Sequence, residues 1–209
     1  MLRVQSVRLG MDFQSNCYVI SNDSGEAAAV DIGGNPDEML KFLDKNNFSL
    51  KKILLTHGHY DHFRGVAAVA EKTGAEVYIH QEDAIMMTHS GKSLATYVSS
   101  EDFEPVNEYS VIKDGDTIEF SGVPIRVLHT PGHTKGGVCY ICEDKIFSGD
   151  TLFRRSIGRT DFPGGSYDEL IDSLSKLSEL IKENDYIVFP GHETATTLSY
   201  EIENNPYMR

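Results

Sequence analysis

Three histidines and one aspartate fall within six positions, His57-Gly58-His59-Tyr60-Asp61-His62. The apolar run Ile53-Leu54-Leu55 precedes them and a helical pattern follows, so they occupy a strand-to-helix turn. Residues two apart in extended chain project to the same side, which aims His57 and His59 at one point. Asp61 and His62, at the turn into the helix, project to a neighbouring point, and one loop can therefore serve two adjacent ions. Gly58 lets the backbone bend tightly between them. Packing supplies no reason for this spacing, and a solvated face does not follow a buried strand. The chemistry it suits is metal binding.

Three more polar residues sit in matching settings. His133 lies in Thr130-Pro131-Gly132-His133, Asp150 in Phe147-Ser148-Gly149-Asp150 and His192 in Val188-Phe189-Pro190-Gly191-His192. Each follows a glycine at the end of an apolar strand, where functional groups converge on loops at a sheet edge. Imidazole nitrogen and carboxylate oxygen suit zinc, iron or manganese. A set without thiolate is typical of sites that keep a water position for catalysis. Cys139 and Cys142 form a C-x-x-C, but on a strand their offset turns the sulfurs to opposite faces, so they are read with Cys17 as packed free thiols. His80, His89 and His129 lack this setting and are read as structural, with His129 a possible brace for the site.

The elements that must position these residues are short. Strand runs are expected at 2–9, 16–21 and 26–32, then at 53–55 and 77–79. A second series follows at 116–120, 123–128, 137–142, 145–148 and 187–189. Asn35-Pro36-Asp37-Glu38 and Ser166-Tyr167-Asp168-Glu169 read as capping boxes. The first precedes the apolar face Met39, Leu40, Phe42 and Leu43; the second precedes Leu170, Ile171, Leu174, Leu177, Leu180 and Ile181. Further helices are expected at 61–73 and 81–89, and a surface loop over 90–107. Strands then helices, twice over, imply helices packed outside two central sheets.

Composition narrows the function. The 209 residues carry a net charge of −13, which disfavours a broad grip on nucleic acid or anionic lipid. A 40% hydrophobic and 24% charged composition is that of a globular chain. No apolar run reaches the roughly 18 residues of a membrane helix, and the start lacks a signal-peptide pattern. The expected compartment is the cytoplasm. Monomer and homo-oligomer both stay open.

Asp31 in Val30-Asp31-Ile32-Gly33, the His57-x-His59-x-Asp61-His62 cluster, His133, Asp150 and His192, in this order, resemble the metallo-β-lactamase fold superfamily over nearly the whole chain. The resemblance implies an α+β fold, an αββα four-layer sandwich, as a single domain over residues 1–209. It implies two divalent ions, zinc foremost, with iron or manganese as other occupants. His57, His59 and His133 would hold the first, Asp61, His62 and His192 the second, and Asp150 would bridge them. Asp31 matches the family's buried acid supporting the metal loop.

Within the superfamily, Ser148-Gly149-Asp150-Thr151-Leu152-Phe153 and Ser156-Ile157-Gly158-Arg159-Thr160-Asp161-Phe162-Pro163-Gly164-Gly165 resemble small single-domain bacterial relatives of glyoxalase II. Only 17 residues follow His192, so no C-terminal glutathione-binding helical domain is expected. The implied activity is hydrolysis of an anionic thioester of the hydroxyacyl-glutathione type, with Asp61 and Asp150 in the catalytic centre. Two divalent ions make that centre locally positive, and Arg159 and Lys135 are candidates to meet the substrate. Gly158-Arg159-Thr160-Asp161-Phe162 also resembles the persulfide dioxygenases, which implies as an alternative one iron on His57, His133 and Asp150.

Overall fold

A computed structural model describes residues 2–10, 15–98 and 103–208. They form two units, Met1–Ile79 with Ala84–Val111, and His80–Asp83 with Ile112–Arg209.

The first unit runs β1 (Arg3–Val7), β2 (Cys17–Ser21), β3 (Glu26–Val30), α1 (Pro36–Asn46), β4 (Ser49–Leu54), α2 (Tyr60–Phe63), α3 (Val66–Thr73) and β5 (Glu76–His80). A 3-10 turn (Ala84–Thr88), α4 (Ala95–Val98) and β6 (Ser110–Ile112) follow. The strands form one sheet in the order β1-β2-β3-β4-β5-β6. β3, β4 and β5 are parallel, joined by helical crossovers, so their C-terminal ends share one edge. Val19, Ala29, Ile53, Phe63, Val66 and Met39 of this unit share one buried cluster.

The helix expected over 61–73 breaks in two. Its interruption is Gly65, whose N–H donates to the Ile32 carbonyl at 2.9 Å. A Cβ on Gly65 would stand 2.6 Å from the Gly34 carbonyl oxygen, so a close approach of two backbones overrides the helical period. The expected loop 90–107 is less exposed than its sequence implies. Leu94, Ala95 and Val106 are buried, and Val106 N–H donates to the Met87 carbonyl at 3.0 Å. Residues 99–102 lie outside the described residues.

The second unit contains β7 (Thr117–Phe120), β8 (Val123–His129), β9 (Val138–Cys142), β10 (Lys145–Gly149), β11 (Leu152–Phe153) and β12 (Ser156–Ile157). Then come α5 (Tyr167–Glu179), a 3-10 turn (Leu180–Lys182), β13 (Ile187–Pro190), β14 (Thr196–Thr197) and α6 (Leu198–Asn204). Its main sheet has the order β14-β13-β10-β9-β8-β7, and β11-β12 is a separate hairpin. β8 and β10 both run antiparallel to β9, and β13 runs parallel to β10. The C-terminal ends of β8, β10 and β13 therefore meet at one edge. Tight turns close the opposite edge. Phe120 pairs with Val123 across Ser121 (φ 53°) and Gly122 (φ 77°), a backbone that matches hairpin twist. Cys142 pairs with Lys145 across Glu143 (φ 52°) and Asp144.

Leu170, Leu174 and Leu177 of α5 are fully buried, each stabilising the unit by about 2 kcal/mol relative to exposure. Cys139 joins the core cluster beneath α5 and Cys142 does not, as opposite strand faces require. Cys17, Cys139 and Cys142 are free and buried, and burial pushes the Cys139 and Cys142 thiols up to about 11.

Both expected N-caps form, but each uses only half of its box. The Asn35 side chain accepts from Asp37 N–H and the Ser166 side chain from Glu169 N–H. The reciprocal donors are spent on tertiary contacts instead: Asn35 N–H goes to the Leu9 carbonyl and Ser166 N–H to the Gly132 carbonyl.

Candidate functional site

In the first unit the predicted ligands emerge from the end of β4, beside the end of β3. Asp31 follows β3, buried and left-handed at φ 53°. Its Oδ1 accepts from Thr56 N–H at 2.9 Å, and its Oδ2 accepts from Thr56 Oγ1 at 2.7 Å and from His62 Nδ1 at 2.8 Å. One carboxylate thus ties the start of the ligand loop to its end. It also selects a tautomer: with Nδ1–H donated to Asp31, His62 Nε2 keeps its lone pair and faces Asp61 Oδ2 at 3.7 Å.

Thr56 extends the chain of orientation. Its hydroxyl proton is given to Asp31, so its oxygen accepts from His57 Nδ1 at 3.2 Å and leaves the His57 Nε2 lone pair outward. That Nε2 lies 3.1 Å from His59 Nδ1. Two nitrogens about 2.0–2.1 Å from a tetrahedral ion stand about 3.3 Å apart, so this spacing fits two ligands of one ion. The Asp61 backbone is anchored from behind. Its carbonyl accepts from Ser15 Oγ at 2.9 Å, and a Cβ on Gly33 would stand 1.5 Å from that same oxygen.

In the second unit the three predicted ligands come from three strand ends. His133 follows β8, Asp150 follows β10 and His192 follows β13. Gly191 N–H donates to the Gly149 carbonyl at 2.8 Å, which ties the last two loops together. His133 Nδ1 donates to the Arg159 carbonyl at 2.7 Å; a carbonyl can only accept, so His133 Nε2 carries the lone pair. That nitrogen stands 3.4 Å from Asp150 Oδ2, and His192 Nε2 stands 3.6 Å from the same oxygen. These separations are long for hydrogen bonds and suit donors that share a cation. His133 and Asp150 are nearly buried, whereas the His192 side chain is 33% exposed. It lies edge-on to Phe153 with ring centroids 6.1 Å apart.

The donor chemistry therefore fits metal ions within each unit: tautomers fixed from behind, lone pairs turned toward carboxylate oxygens. The first set brings together His57, His59, Asp61, His62 and Asp31. The second brings together His133, Asp150 and His192.

Arg159, expected to meet the substrate, has its side chain paired within its own loop. Its guanidinium makes two 2.7 Å bonds to Asp161, holding that carboxyl down at about 2, and lies 3.9 Å from the Phe162 ring centroid. What Arg159 supplies to His133 is its backbone carbonyl. Lys135 is exposed, in a cleft of about 500 Å³ also lined by His80, His129 and Pro131. His80 and His129 stack there with centroids 4.1 Å apart, and burial, then the neighbouring ring, lowers the His80 pKa. His129 donates from Nε2 to the Lys135 carbonyl at 2.8 Å, which makes it a brace for the loop that carries His133.

Sequence reasoning passed over Thr56, Ser15, Gly33 and Gly158. A Cβ on Gly158 would stand 1.8 Å from the Asp150 carbonyl oxygen, so only glycine lets that loop close on Asp150. The hairpin before it is held by buried Glu201 and Asn205. Glu201 Oε2 accepts from Arg155 N–H at 2.7 Å and from Asn205 Nδ2 at 2.9 Å, and Asn205 Nδ2 also reaches the Ser156 carbonyl at 3.0 Å. Glycines beside ligand strings were the available signal; α6, which carries Glu201, had none.

Residues 10–192 match the metallo-beta-lactamase superfamily. An uncharacterized protein of Mycobacterium tuberculosis is 38% identical, with 92% of each chain covered. Hydroxyacylglutathione hydrolase GloC of Haemophilus influenzae is 34% identical, with 94% of this chain and 93% of GloC covered. Among solved structures, BLEG-1 B3 metallo-beta-lactamase is similar at TM-score 0.91 and 30% identity, with 99% of both chains covered. TTHA1623 in a di-iron-bound form is similar at TM-score 0.84 and 32% identity, covering 96% of this chain and 98% of that one. ETHE1 from Myxococcus xanthus follows at 0.78 and 26%, covering 99% and 83%.

Proposed function

This chain belongs to the metallo-β-lactamase superfamily, and from that premise we propose that it is a dinuclear metal hydrolase of thioesters, of the hydroxyacyl-glutathione type. In this reading the two ligand sets serve one centre within a single domain of residues 1–209. His57, His59 and His133 would hold one ion, Asp61, His62 and His192 the other, and Asp150 would reach both, as membership of the family implies. The observation that carries the reading is the pair of fixed tautomers. His62 and His133 each give Nδ1–H to a fixed acceptor and turn Nε2 toward a carboxylate oxygen.

Two divalent ions bound there would supply a water of lowered pKa and polarise the substrate carbonyl. The protein's own groups do the rest. The Asp61 carboxylate, partly exposed, would accept a hydrogen bond from the attacking hydroxide and so orient it. The more exposed His192 marks the side open to substrate. A thiolate leaving group, with a pKa near about 8.5, needs no dedicated acid. The substrate is taken as a small anion. Lys135 is free to meet it at the surface; Arg159 would exchange Asp161 for it. Similarity to GloC, which the chain spans almost completely, supports the thioester reading without a further domain. Zinc is the proposed ion, and the likeness to TTHA1623, solved in a di-iron-bound form, supports iron as the other occupant. Among the described residues no helix is long and apolar enough to cross a membrane, and three free cysteines suit a reducing cytoplasm.

A second reading, a persulfide dioxygenase with one iron on His57, His133 and Asp150, is favoured by the Gly158–Phe162 string and the likeness to ETHE1. That string, however, serves His133 and Asp150 in either reading. Metal analysis with two assays separates them. The expected result is two ions per chain and hydrolysis of lactoyl-glutathione. One iron per chain, with oxygen uptake on glutathione persulfide and no hydrolysis, would overturn the proposal.

A further inference from the structure

The loop 130–137, which carries His133, is closed on itself: Thr130 N–H donates to the Gly137 carbonyl at 2.8 Å and Gly132 N–H to the Thr134 carbonyl at 3.0 Å. On the near side of His133, α5 and its N-cap hold the loop through Ser166 N–H to the Gly132 carbonyl at 2.8 Å and Ser173 Oγ to the Pro131 carbonyl at 2.7 Å. On the far side stands Asp83, fully buried. Its Oδ2 accepts from Thr134 Oγ1 at 2.6 Å and its Oδ1 from Gly136 N–H at 2.7 Å. Both bonds are short, as charge assistance makes them. Gly136 is fitted to the carboxylate, since a Cβ there would stand 2.6 Å from Asp83 Cγ.

We infer that Asp83 is a positioning residue for the His133 ligand, the counterpart in this unit of Asp31 in the other. Both acids are buried, both follow a strand, and both use their two oxygens on a loop that carries a histidine ligand. They differ in reach. Asp31 touches its histidine directly, whereas Asp83 acts through Thr134, the residue next to His133. Without Asp83, Thr134 Oγ1 and Gly136 N–H would lose their acceptors inside the protein, a state the loop can leave only by moving. Movement of Thr134 moves His133 away from its bond to the Arg159 carbonyl.

The inference rests on the proposed ligand role of His133, and its test separates the two. Full-length apoprotein would be titrated with Co²⁺ in wild type, Asp83→Asn, Thr134→Val and Thr134→Ser, following visible absorption and competition with a chelator. Asp83→Asn and Thr134→Val should weaken binding of one of two ions by about 10–100-fold and shift its absorption bands. Thr134→Ser, which keeps the hydroxyl, should restore both. Thr134→Val decides the matter if Asp83→Asn fails to fold. Wild-type affinity and bands in Thr134→Val and in every folded Asp83→Asn sample would overturn the role of Asp83 and leave the metal reading standing. Wild-type protein that binds no Co²⁺ would overturn both.

Discussion

The two ligand loops of largest consequence are held by opposite strategies. After β4, four proposed ligands follow one another in a single turn, and one buried carboxylate, Asp31, fixes both its first and its last residues. In the second unit the three proposed ligands come from three strand ends. The work is divided there among backbone groups: the Arg159 carbonyl on His133, Gly191 N–H on the Gly149 carbonyl, and Gly158 packed on Asp150. Concentrated ligands depend on one side chain; dispersed ligands depend on the course of the chain. Substitutions should therefore act at distinct levels in the two regions.

The largest effect is expected at Asp150, the residue on which His133 and His192 converge. Asp150→Ala should abolish turnover and lower the metal content measured by elemental analysis; retained activity would reject its shared role. Next is Asp31→Asn. Asparagine tolerates the left-handed backbone, so this change isolates the lost acceptor from backbone strain. Metal affinity should fall by about 10–100-fold and stability by about 1–3 kcal/mol, checked by chelator competition and denaturant melts. An unchanged affinity would show that the first loop is held without its carboxylate.

Gly158→Ala should act on turnover, because its Cβ would stand 1.8 Å from the Asp150 carbonyl oxygen and one of the two backbone segments must shift. It should reduce kcat by about 100-fold, the cost of displacing a reactive group by about 1 Å. An unaltered kcat would break the claim that chain course positions the dispersed ligands. The smallest effect is expected at Arg159→Gln, where the carbonyl that orients His133 is retained. Metal content and kcat should stay constant, and any change should appear in KM. The same substitution should return the Asp161 carboxyl from about 2 toward its ordinary range, read by NMR titration. The pair is intact above the ordinary carboxylate pKa and is lost as pH falls through about 2; in the variant, which has no such pair, the Asp161 carboxyl should take up its proton at higher pH.

The same contrast explains what could be read from sequence. His57, His59, Asp61 and His62 are legible because their spacing is local and packing does not produce it. His133, Asp150 and His192 are legible only as a recurrence, a ligand after glycine at a strand end. Asp83 and Thr134 carry no such mark, since their partners are more than 50 residues apart in the chain. Strands and capped helices followed their periods, and the fold is that of the family. The break at Gly65 did not, because its cause is a distant backbone. The capping boxes were half legible for the same reason: the N-cap acceptors are local, whereas their N–H groups are claimed by Leu9 and Gly132.

The tight turns at Ser121–Gly122 and Glu143–Asp144 lie at the edge of their sheet away from His133, Asp150 and His192. Strand register is thus settled by turn chemistry and apolar packing, with no ligand taking part. The expected consequence is an order of events: the chain acquires its shape first and is loaded afterwards. A preformed set of imidazole and carboxylate donors suits zinc, iron and manganese alike. Its occupancy should then follow the supply of divalent metals where it is made, and metal analysis of protein from different hosts should find different ions.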